Sequence, residues 1–552
     1  MASNRKVLIY QVFTRLYSNR NTTCKEDGTI AENGCGKFLD FTPTLLNRIV
    51  SLGVTHVWYT GVIRHASQTI YSEYGIPRQH PAVVKGRAGS PYAITDYYDV
   101  DPDLAVSVNR RMAEFEEMVA RTHAAGLKVI IDFVPNHVAR QYHSICKPKG
   151  VKDLGETDNT EYGFDSQNNF YYCPGQQFTP YFDLYHGEAE PYIEEPAKAT
   201  GNDHFDNAPG QNDWYETVKL NYGVDYYAGR VGHFYPMPDT WQKMTDILLF
   251  WAAKGIDGFR CDMAEMVPTE FWAYATKTVK KQYPDIVFIG EVYNPNEYRH
   301  YLASGFDWLY DKVGMYDTMR AIVCGQQSTQ AISWAWQQTD DIRDHMLYFL
   351  ENHDEQRIAS DFFAADARKG IPALVASLLM QQNPFMLYGG QEYGERGMDH
   401  EGFSGIDGRT TIFDYWSLDT IRRATERQLT DDEKSLYHSY KKILQIARRE
   451  SAIASGVFFD LMYVNQHLHR QYVFLRRAGS DLLLIAANFD GDEANISVKI
   501  PAHAFDYMQL KERRGVVSDL LSSDKMKIDL LSDCNIDMTV PGYGARVWKM
   551  KA

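Results

Sequence analysis

The sequence lacks an apolar run of the roughly 20 residues that a membrane-spanning helix needs. It also lacks a secretory signal at its start, because residues 1–7 contain neither an apolar core nor a cleavage site. The sequence as written therefore predicts a protein with no membrane span that stays in the cytoplasm. A secreted or periplasmic protein is the alternative, if a signal peptide has been removed.

Cysteine is scarce, and lysine and arginine are outnumbered by acidic residues. The seven cysteines form no Cys-x-x-Cys pair, which excludes a thiol redox motif and a zinc knuckle. Cys24 and Cys35 flank a polar loop; we interpret them as free thiols, with a disulfide in an oxidising compartment as the alternative. The formal net charge of −15 provides no basic surface for a nucleic-acid backbone, so a neutral substrate fits better.

Length and aromatic side chains are what the chain has in quantity. Its 552 residues are enough for a large core and more than one domain. The 37 Tyr and 10 Trp include side chains that could bind sugar rings, although most such residues pack in a core.

Strand and helix patterns alternate from the start of the chain to about residue 440. Two amphipathic runs, residues 109–125 and 240–254, end at Gly126 and Gly255, as helices commonly do. Continuous apolar strands that alternate with helices predict a parallel sheet, and eight such units predict a closed (β/α)8 barrel, that is, a TIM barrel. The eight predicted strands are residues 7–13, 54–62, 128–134, 256–262, 286–292, 306–310, 346–351 and 384–388.

Two regions interrupt or follow this alternation. The residues after the third strand are rich in Asn, Asp, Gly and Tyr, and a structureless loop of that length is improbable, so we predict an inserted domain. The last part of the chain reads as short strands between turns, which predicts an antiparallel β-sandwich. The predicted domains are a barrel of residues 1–137 and 240–444, an insertion of residues 138–239 and a C-terminal β domain of residues 445–552.

Acidic residues stand at the ends of several predicted barrel strands. Asp262 and Glu291 lie at the ends of the fourth and fifth strands, Asp354 follows the seventh, and His137 and His353 lie beside such ends. Active sites of these barrels form at the carboxyl ends of the strands, so we expect one site. His137 and His353 are expected to donate hydrogen bonds without adding a full charge near neutral pH.

Arg260 and Asp262 point to the same side of one strand, because side chains alternate. The arginine is expected to keep Asp262 ionised, as a nucleophile requires, while Glu291 keeps a proton that it donates to a leaving oxygen. Two carboxyl groups about 5–5.5 Å apart support glycoside cleavage with retention of configuration.

A metal-dependent enzyme is the competing interpretation of carboxylates beside imidazoles. Zinc needs three close ligands, commonly in an HExxH spacing, and the sequence has none. The chemistry predicted for Asp262 requires no cofactor. A structural calcium ion, bound through Asn136 and oxygen atoms of the insertion, stays open.

These segments closely resemble the signature regions of the α-amylase family, glycoside hydrolase family 13. They are Asp132-Phe-Val-Pro-Asn-His137, Gly258-Phe-Arg-Cys-Asp262, Gly290-Glu-Val and Asn352-His-Asp354. The resemblance implies that Asp262 is the nucleophile, Glu291 the acid/base and Asp354 the stabiliser of the transition state. It implies a supporting role for Asp132 and substrate contacts at Tyr92, His137, Arg260, His353 and Arg357.

The chain departs from the typical pattern of this family at two places, a pair of residues and a single one. Glu265 and Met266 stand where typical α-amylases have a Lys-His pair, which puts the usual acceptor-side contacts and one calcium ligand in doubt. Glu265 and aromatic residues of the insertion are expected to line the acceptor side instead. Ala93 stands after the stacking Tyr92, where chain-end enzymes of the family often have Asp. Ala93 therefore favours a cleft open at both ends.

The predicted function is a retaining hydrolase that cleaves internal α-1,4 linkages of starch, glycogen or maltooligosaccharides. A transglycosylase or an α-glucosidase on the same scaffold is the alternative, and a catalytically inactive carbohydrate-binding relative is a remote one. The expected partner is the α-glucan substrate, with no nucleic acid and no membrane span. The sequence indicates no oligomeric state.

Overall fold

The computed structural model describes residues 6–182, 184, 190–399 and 406–551. The first five residues, on which part of the expectation about the start of the chain depends, lie outside this range. None of the helices in the described residues is both long enough and apolar enough to cross a membrane. All seven cysteines lie in the described part and are free thiols, as interpreted for Cys24 and Cys35.

A closed barrel of eight parallel strands forms the centre of the described residues. Each of the eight predicted strands is present, and the predicted (β/α)8 barrel is confirmed. The strands are one to four residues shorter than predicted, and three of them, which end at Phe13, Tyr310 and Tyr388, are shortened only at their beginnings. Their bounds are Leu8–Phe13, His56–Thr60, Lys128–Phe133, Gly258–Cys261, Val287–Gly290, Trp308–Tyr310, Met346–Phe349 and Phe385–Tyr388.

Helices follow most barrel strands and cover the outside of the sheet. Gly370–Met380 is apolar on nearly all sides because it packs between the barrel and the C-terminal sheet. The α-helices are Thr14–Tyr17, Ile30–Asn33, Pro43–Ser51, Arg111–Ala124, Asp239–Ala252, Thr269–Gln282, Tyr298–Ala303, Asp317–Val323, Gln330–Gln337, Gly370–Met380, Asp419–Glu426, Asp431–Arg449, Ser451–Ala454 and Ala502–Met508. A π-helix spans Lys312–Tyr316, and 3-10 turns span Phe38–Asp40, Ser72–Tyr74, Pro81–Val83, Pro102–Leu104, Val108–Arg110, Ala264–Met266, Asp340–His345, Ala367–Lys369, Gln391–Tyr393 and Met462–Val464.

Short antiparallel strands lie above the mouth of the barrel. In the segment after the third barrel strand, His137–Ala139 pairs with Thr217–Lys219, so that His137 lies opposite Lys219. This pairing ties the end of the predicted insertion to its beginning. The other short strands are Ile63–His65, Ile94–Val100, Tyr172–Cys173, Ala197–Lys198, Val224–Asp225 and Val231–Gly232.

The C-terminal part is an antiparallel β domain, as predicted. Its six-stranded sheet contains Val457–Asp460, Gln471–Ala478, Asp481–Asn488, Gly544–Lys551, Arg513–Asp519 and Lys525–Leu530, and a separate pair contains Ala494–Lys499 and Asn535–Val540. The sequence pattern predicts five of these strands, at residues 471–476, 481–488, 494–500, 536–540 and 545–550, and misses the three that begin at Val457, Arg513 and Lys525. Residue 445, the predicted domain boundary, falls inside the helix Asp431–Arg449. We therefore propose a boundary after this helix.

Candidate active site

The acidic residues at the strand ends meet at one mouth of the barrel. The fourth and fifth strands pair in parallel, with Cys261 opposite Gly290. The residues that follow, Asp262 and Glu291, therefore leave the sheet side by side. Asp132 comes from the third strand, and Asp354 follows the seventh strand after a short loop.

The buried guanidinium group of Arg260 joins these carboxylates. Its Nη1 lies 2.6 Å from Oδ1 of Asp262 and 3.4 Å from Oδ1 of Asp132. Its Nη2 lies 2.8 Å from Oε2 of Glu291 and 4.0 Å from Oδ2 of Asp354. Asp262 and Glu291 are thus neighbours on the two terminal nitrogens of one cation. A buried cation that binds several carboxylates fixes their relative positions.

Several carboxylates around one cation leave the cluster with excess negative charge. Burial raises the pKa of Asp262 well above its usual value, against the lowering effect of Arg260, and Glu291 and Asp354 raise it further. Burial, followed by the charge of Glu291, raises the pKa of Asp354 to about 7. The expectation that Arg260 keeps Asp262 ionised leaves out burial, whose effect on the pKa of Asp262 is larger and opposite. The raised pKa values of Asp262 and Asp354 follow from this burial and mutual repulsion.

The main chain beside Asp262 also binds Glu291. Met263 has a φ of 43°, a left-handed conformation that a non-glycine residue adopts at a cost of about 1–3 kcal/mol. In this conformation its N–H donates to Oε2 of Glu291 at 2.8 Å. The backbone strain next to Asp262 therefore serves to hold Glu291.

His353 and Tyr92 form one side of the site. Burial, with a smaller effect of Arg260, lowers the pKa of His353 well below its usual value, so the ring is neutral. Gln11 donates to Nδ1 of His353 at 2.8 Å, which leaves Nε2 to carry the proton. That nitrogen faces the hydroxyl of Tyr92 and lies 3.1 Å from Oδ2 of Asp354. The predicted uncharged hydrogen-bond donor is therefore available here.

His137 lies on the side of the predicted insertion. Burial, with the charges of Lys219 and Lys85, lowers its pKa to about 3, so this ring is neutral as well. The ring of Trp214 stands 5.4 Å from that of His137. The aromatic ring and the imidazole form a wall of the cavity described next.

A cavity of about 230 Å³ opens above the carboxylates, and Tyr92, His137, Asp262, Glu291 and Asp354 line it together. Nine further residues complete its wall, among them Trp214, one of the aromatic residues of the insertion that the sequence offers for stacking on a ligand. They are Lys85, Ser90, Trp214, Glu216, Thr217, Met263, Tyr293, Ile412 and Phe413. Convergent polar groups around a concave, partly aromatic space are typical of a small-molecule site.

Three segments are bonded together on one side of this cavity. Nζ of Lys85 lies 3.2 Å from Oε2 of Glu216, which joins a barrel loop to the predicted insertion. The backbone N–H of Ala88 donates to the carbonyl of Phe413 at 2.9 Å, and Arg87 N–H bonds to Asp414. Within the described part of the chain, these contacts join the three segments along that side of the cavity.

A second cavity, of about 680 Å³, adjoins Met263 and Glu265. Tyr226 and Arg230 of the predicted insertion line it as well. The sequence analysis expected Glu265 and aromatic residues of the insertion beside the acceptor. Both are present at this cavity, although the Glu265 carboxylate is already engaged by backbone N–H groups.

Arg357, a predicted substrate contact, is completely buried. Its Nη1 lies 3.0 Å from Glu351, and it also donates to Thr410 and to the carbonyl of Gly389. The residue supports the loops around the site from below. Arg357 is not among the residues that line the cavity described above, and its contact with substrate stays a prediction.

Asn136, the predicted calcium ligand, binds a lysine. Nζ of Lys219 lies 2.6 Å from Oδ1 of Asn136 and 2.6 Å from Oδ1 of Asp203. A calcium ion would need six to eight oxygen ligands at about 2.3–2.6 Å. The buried ammonium group occupies the space between these oxygens, so the residues around Asn136 do not fit a calcium ion.

The sequence pattern predicts the acids at the strand ends and their neighbours Arg260, His137 and His353. It does not predict four residues that contact this site or its surroundings, namely Tyr293, Lys85, Glu216 and Lys219. Tyr293 stands two residues after Glu291 and is on the same side of the extended segment, a spacing that offered a signal. Lys85, Glu216 and Lys219 had no such signal, because their partners are remote in sequence.

Comparison with known proteins identifies relatives of the chain. A family model described as the alpha amylase catalytic domain matches residues 44–453. Alpha-amylase 3 of Dictyoglomus thermophilum is 26% identical over 397 residues, which are 66% of this chain and 68% of that protein. Cyclomaltodextrin glucanotransferase of Niallia circulans is 23% identical over 523 residues. The match covers 87% of this chain but only 59% of that relative.

The fold also matches solved structures along its whole length. The noncanonic maltogenic alpha-amylase AmyB of Thermotoga neapolitana superposes with a TM-score of 0.65 at 19% identity, with 100% of both chains covered. At this identity the likeness concerns the fold alone.

Proposed function

The chain belongs to the α-amylase family, and we propose that it is a retaining α-glucan hydrolase in which Asp262 is the nucleophile and Glu291 the acid/base. The observation that carries this proposal is the binding of both carboxylates to one buried guanidinium, under a cavity that Tyr92 and His137 line. Asp354 and His353 would bind the hydroxyl groups of the sugar that is cleaved.

The proposed reaction has two steps. A carboxylate oxygen of Asp262 attacks the anomeric carbon, the glycosidic bond breaks, and the proton of Glu291 goes to the leaving oxygen. Glu291 then takes a proton from water, the water oxygen attacks the same carbon, and the bond to Asp262 breaks. Arg260 keeps the two carboxylates in place during both steps.

Internal cleavage of α-1,4 linkages is the first proposal for the mode of action. It rests on Ala93 in place of an aspartate. However, Ala93 is buried in an apolar cluster with Ala66, Val84 and Ala139, so its side chain gives little information about the cleft.

Cleavage from a chain end is a second candidate. It is favoured by the side of the cavity where the segments of Lys85, Glu216 and Phe413 are bonded together. The Lys85–Glu216 ion pair and the backbone bonds to Phe413 would limit how far a glucan extends past Tyr92. In this case the ion pair would bind the hydroxyl groups of the terminal sugar.

A product time course on maltoheptaose and soluble starch tests these proposals. Early fragments of mixed length support internal cleavage, whereas glucose or one short sugar from the outset supports cleavage from a chain end. Products longer than maltoheptaose, with few new reducing ends, would identify a transglycosylase.

Asp262→Asn and Glu291→Gln should lose at least about 10³-fold in kcat. Asp431→Asn, at a completely exposed side chain, is the matched control and should remain active. Wild-type activity retained in Asp262→Asn would refute the assigned nucleophile.

A further inference from the structure

The hydroxyl group of Tyr293 donates a hydrogen bond to Oε1 of Glu291. Burial, followed by the charge of Glu291, raises the pKa of Tyr293 well above its usual value, so the phenol keeps its proton. We propose that Tyr293 is a positioning residue that stabilises the Glu291 carboxylate as its proton leaves, and that Glu265 holds Tyr293 in place. This inference rests on the proposed role of Glu291 as the acid/base.

The contacts of Glu291 determine which of its oxygens carries the transferred proton. Oε2 accepts from the N–H of Met263 at 2.8 Å and lies 2.8 Å from Nη2 of Arg260. Neither group can accept a proton in return. The proton that Glu291 donates must therefore be on Oε1, the oxygen that Tyr293 contacts.

A phenol is suited to this position because its hydroxyl group both donates and accepts. In the structure it donates to Oε1 of Glu291. When Glu291 is protonated the hydroxyl accepts instead, and it donates again to the carboxylate that forms when the leaving oxygen takes the proton. A hydrogen-bond donor that points at charge developing in the transition state accelerates the reaction. The folded protein already holds the donor in that orientation, so no reorganisation is needed when the charge forms. The same bond persists in the second step, when Glu291 removes a proton from water.

Glu265 fixes the main chain from which Tyr293 projects. Its Oε2 accepts from the N–H of Tyr293 at 2.8 Å and from the N–H of Asn294 at 3.0 Å. Hydrogen bonds to an ionised acceptor are stronger and shorter than neutral ones.

The position of Glu265 is itself fixed. It lies in the 3-10 turn Ala264–Met266, three residues after Asp262, and the hydroxyl of Tyr301 donates to its carbonyl at 2.9 Å. Glu265 therefore couples the loop of the nucleophile to the loop of the acid/base. This residue belongs to one of the two places at which the chain departs from the typical α-amylase pattern.

The test compares substrates that differ in their need for a proton. Tyr293→Phe removes only the hydroxyl oxygen. With maltoheptaose, whose leaving sugar needs protonation, kcat should fall about 10²-fold, the size of effect known for one lost donor. With 2-chloro-4-nitrophenyl α-maltotrioside, whose phenolate leaves readily, the first step needs little help from the acid. With this substrate kcat/KM, which depends on the first step and not on the second, should fall less than about tenfold. For maltoheptaose KM should change little, so kcat/KM should fall as much as kcat.

Tyr274→Phe is the matched control, because the hydroxyl of Tyr274 bonds to Gln242 outside the site. It should leave kcat unchanged for both substrates. Equal losses of kcat/KM in Tyr293→Phe for the two substrates would indicate a merely structural role and would overturn the inference.

A double-mutant cycle tests the role of Glu265. Glu265→Ala should reproduce the leaving-group dependence, and the double variant should lose no more than the worse single variant. Additive losses would overturn the coupling between Glu265 and Tyr293. If the wild type cleaves neither substrate, or Asp262→Asn keeps its activity, the proposed function itself fails. That outcome is distinct from normal wild-type turnover with equal losses in Tyr293→Phe.

Discussion

At the scale of single residues, Lys219 replaces an ion. Its ammonium group joins Asn136, beside the barrel, to Asp203 in the predicted insertion, and the side chain is almost completely buried. The ring of Tyr226 stands 5.3 Å from the nitrogen and adds a cation–π contact. The Lys219 side chain thereby links the barrel to the predicted insertion, the structural role that the sequence analysis left open for a calcium ion.

We expect the wild-type protein to be independent of calcium. Chelation with EDTA should change neither Tm nor kcat, because Lys219 fills the position between the oxygens. Lys219→Met should lower the free energy of unfolding by about 3–5 kcal/mol, because it leaves buried oxygens without their cation. Differential scanning calorimetry measures both. Lys152→Met, an exposed lysine of the insertion, is the control. A fall in Tm on adding EDTA to the wild type would contradict this account.

The raised pKa values of the acids predict the pH dependence of activity. Asp262 must be ionised to attack, and its pKa is raised, so the acid limb of kcat/KM should lie well above the ordinary carboxyl value of about 3.9. Asp354 contributes to that increase. Removing its charge in Asp354→Asn lowers the pKa of Asp262, and the limb of the residual activity should move to lower pH.

The activated maltotrioside makes this small residual activity measurable, and kcat/KM is determined from pH 4 to pH 9, roughly the range in which carboxyl and imidazole groups of proteins titrate. An acid limb that stays in place in Asp354→Asn would show that the two carboxyl groups do not interact.

At the scale of elements, a buried ion pair supports the loops after the last two barrel strands. Glu351, at the end of the seventh strand, accepts from Arg357 and from the N–H of Ile358. Arg357 also binds the loop after the eighth strand through Gly389 and stacks 3.9 Å from the centre of the Tyr388 ring. The pair therefore fixes the base of the loop that contains His353 and Asp354.

Arg357→Met should destabilise the protein by about 3–5 kcal/mol, because it leaves the Glu351 carboxyl buried without its cation. Burial, against the lowering effect of Arg357, raises the pKa of Glu351 to about 7. A carboxyl group whose pKa is higher in the folded than in the unfolded state makes the protein less stable as pH rises. The free energy of unfolding falls between the pKa of the unfolded state, about 4.3, and the pKa of the folded state. In the variant the folded pKa is higher still, so stability continues to fall above pH 7.

The stability difference between wild type and Arg357→Met should therefore be larger at pH 9 than at pH 6, and urea unfolding at the two pH values measures it. Arg368→Met, at an exposed arginine of a nearby loop, provides the control. A pH-independent difference would show that Glu351 does not titrate as described.

At the scale of the whole molecule, the C-terminal sheet completes the core of the barrel. The strand Gln471–Ala478 packs against the helix Gly370–Met380, and Arg476 is buried in this interface. Its guanidinium donates to the carbonyls of Met380, Ala452 and Ile453. The sheet and the barrel thus share hydrogen bonds that neither could satisfy alone.

Arg476→Met should lower Tm by several degrees, because three buried carbonyls lose their donor at about 1–3 kcal/mol each. Its kcat and KM at a temperature below the transition should be those of the wild type, because the interface is remote from the cleft. Arg514→Met, at an exposed arginine of the same sheet, should leave Tm unchanged. A loss of kcat without a loss of Tm in Arg476→Met would contradict a purely structural role.

The sequence by itself determined the barrel and the positions of its acids. Buried strands and amphipathic helices are local patterns, and glycines at helix ends are local signals, so eight strands and their ends could be predicted from short windows. Because parallel strands all present their carboxyl ends at one mouth, Asp262, Glu291 and Asp354 had to converge. The strands missed near residues 457, 513 and 525 are partly exposed and weakly patterned.

Only the tertiary structure decided what each of these side chains contacts. Lys219 and Asn136 are 83 residues apart, and no local pattern predicts that one fills the place of a calcium ion beside the other. Arg357 follows the Asn-His-Asp motif in sequence, yet its loop turns it inward to Glu351. Glu265 reaches Tyr293 only because two loops meet above the barrel. Burial, ion pairing and hydrogen bonding depend on partners that the chain brings together only when it is folded.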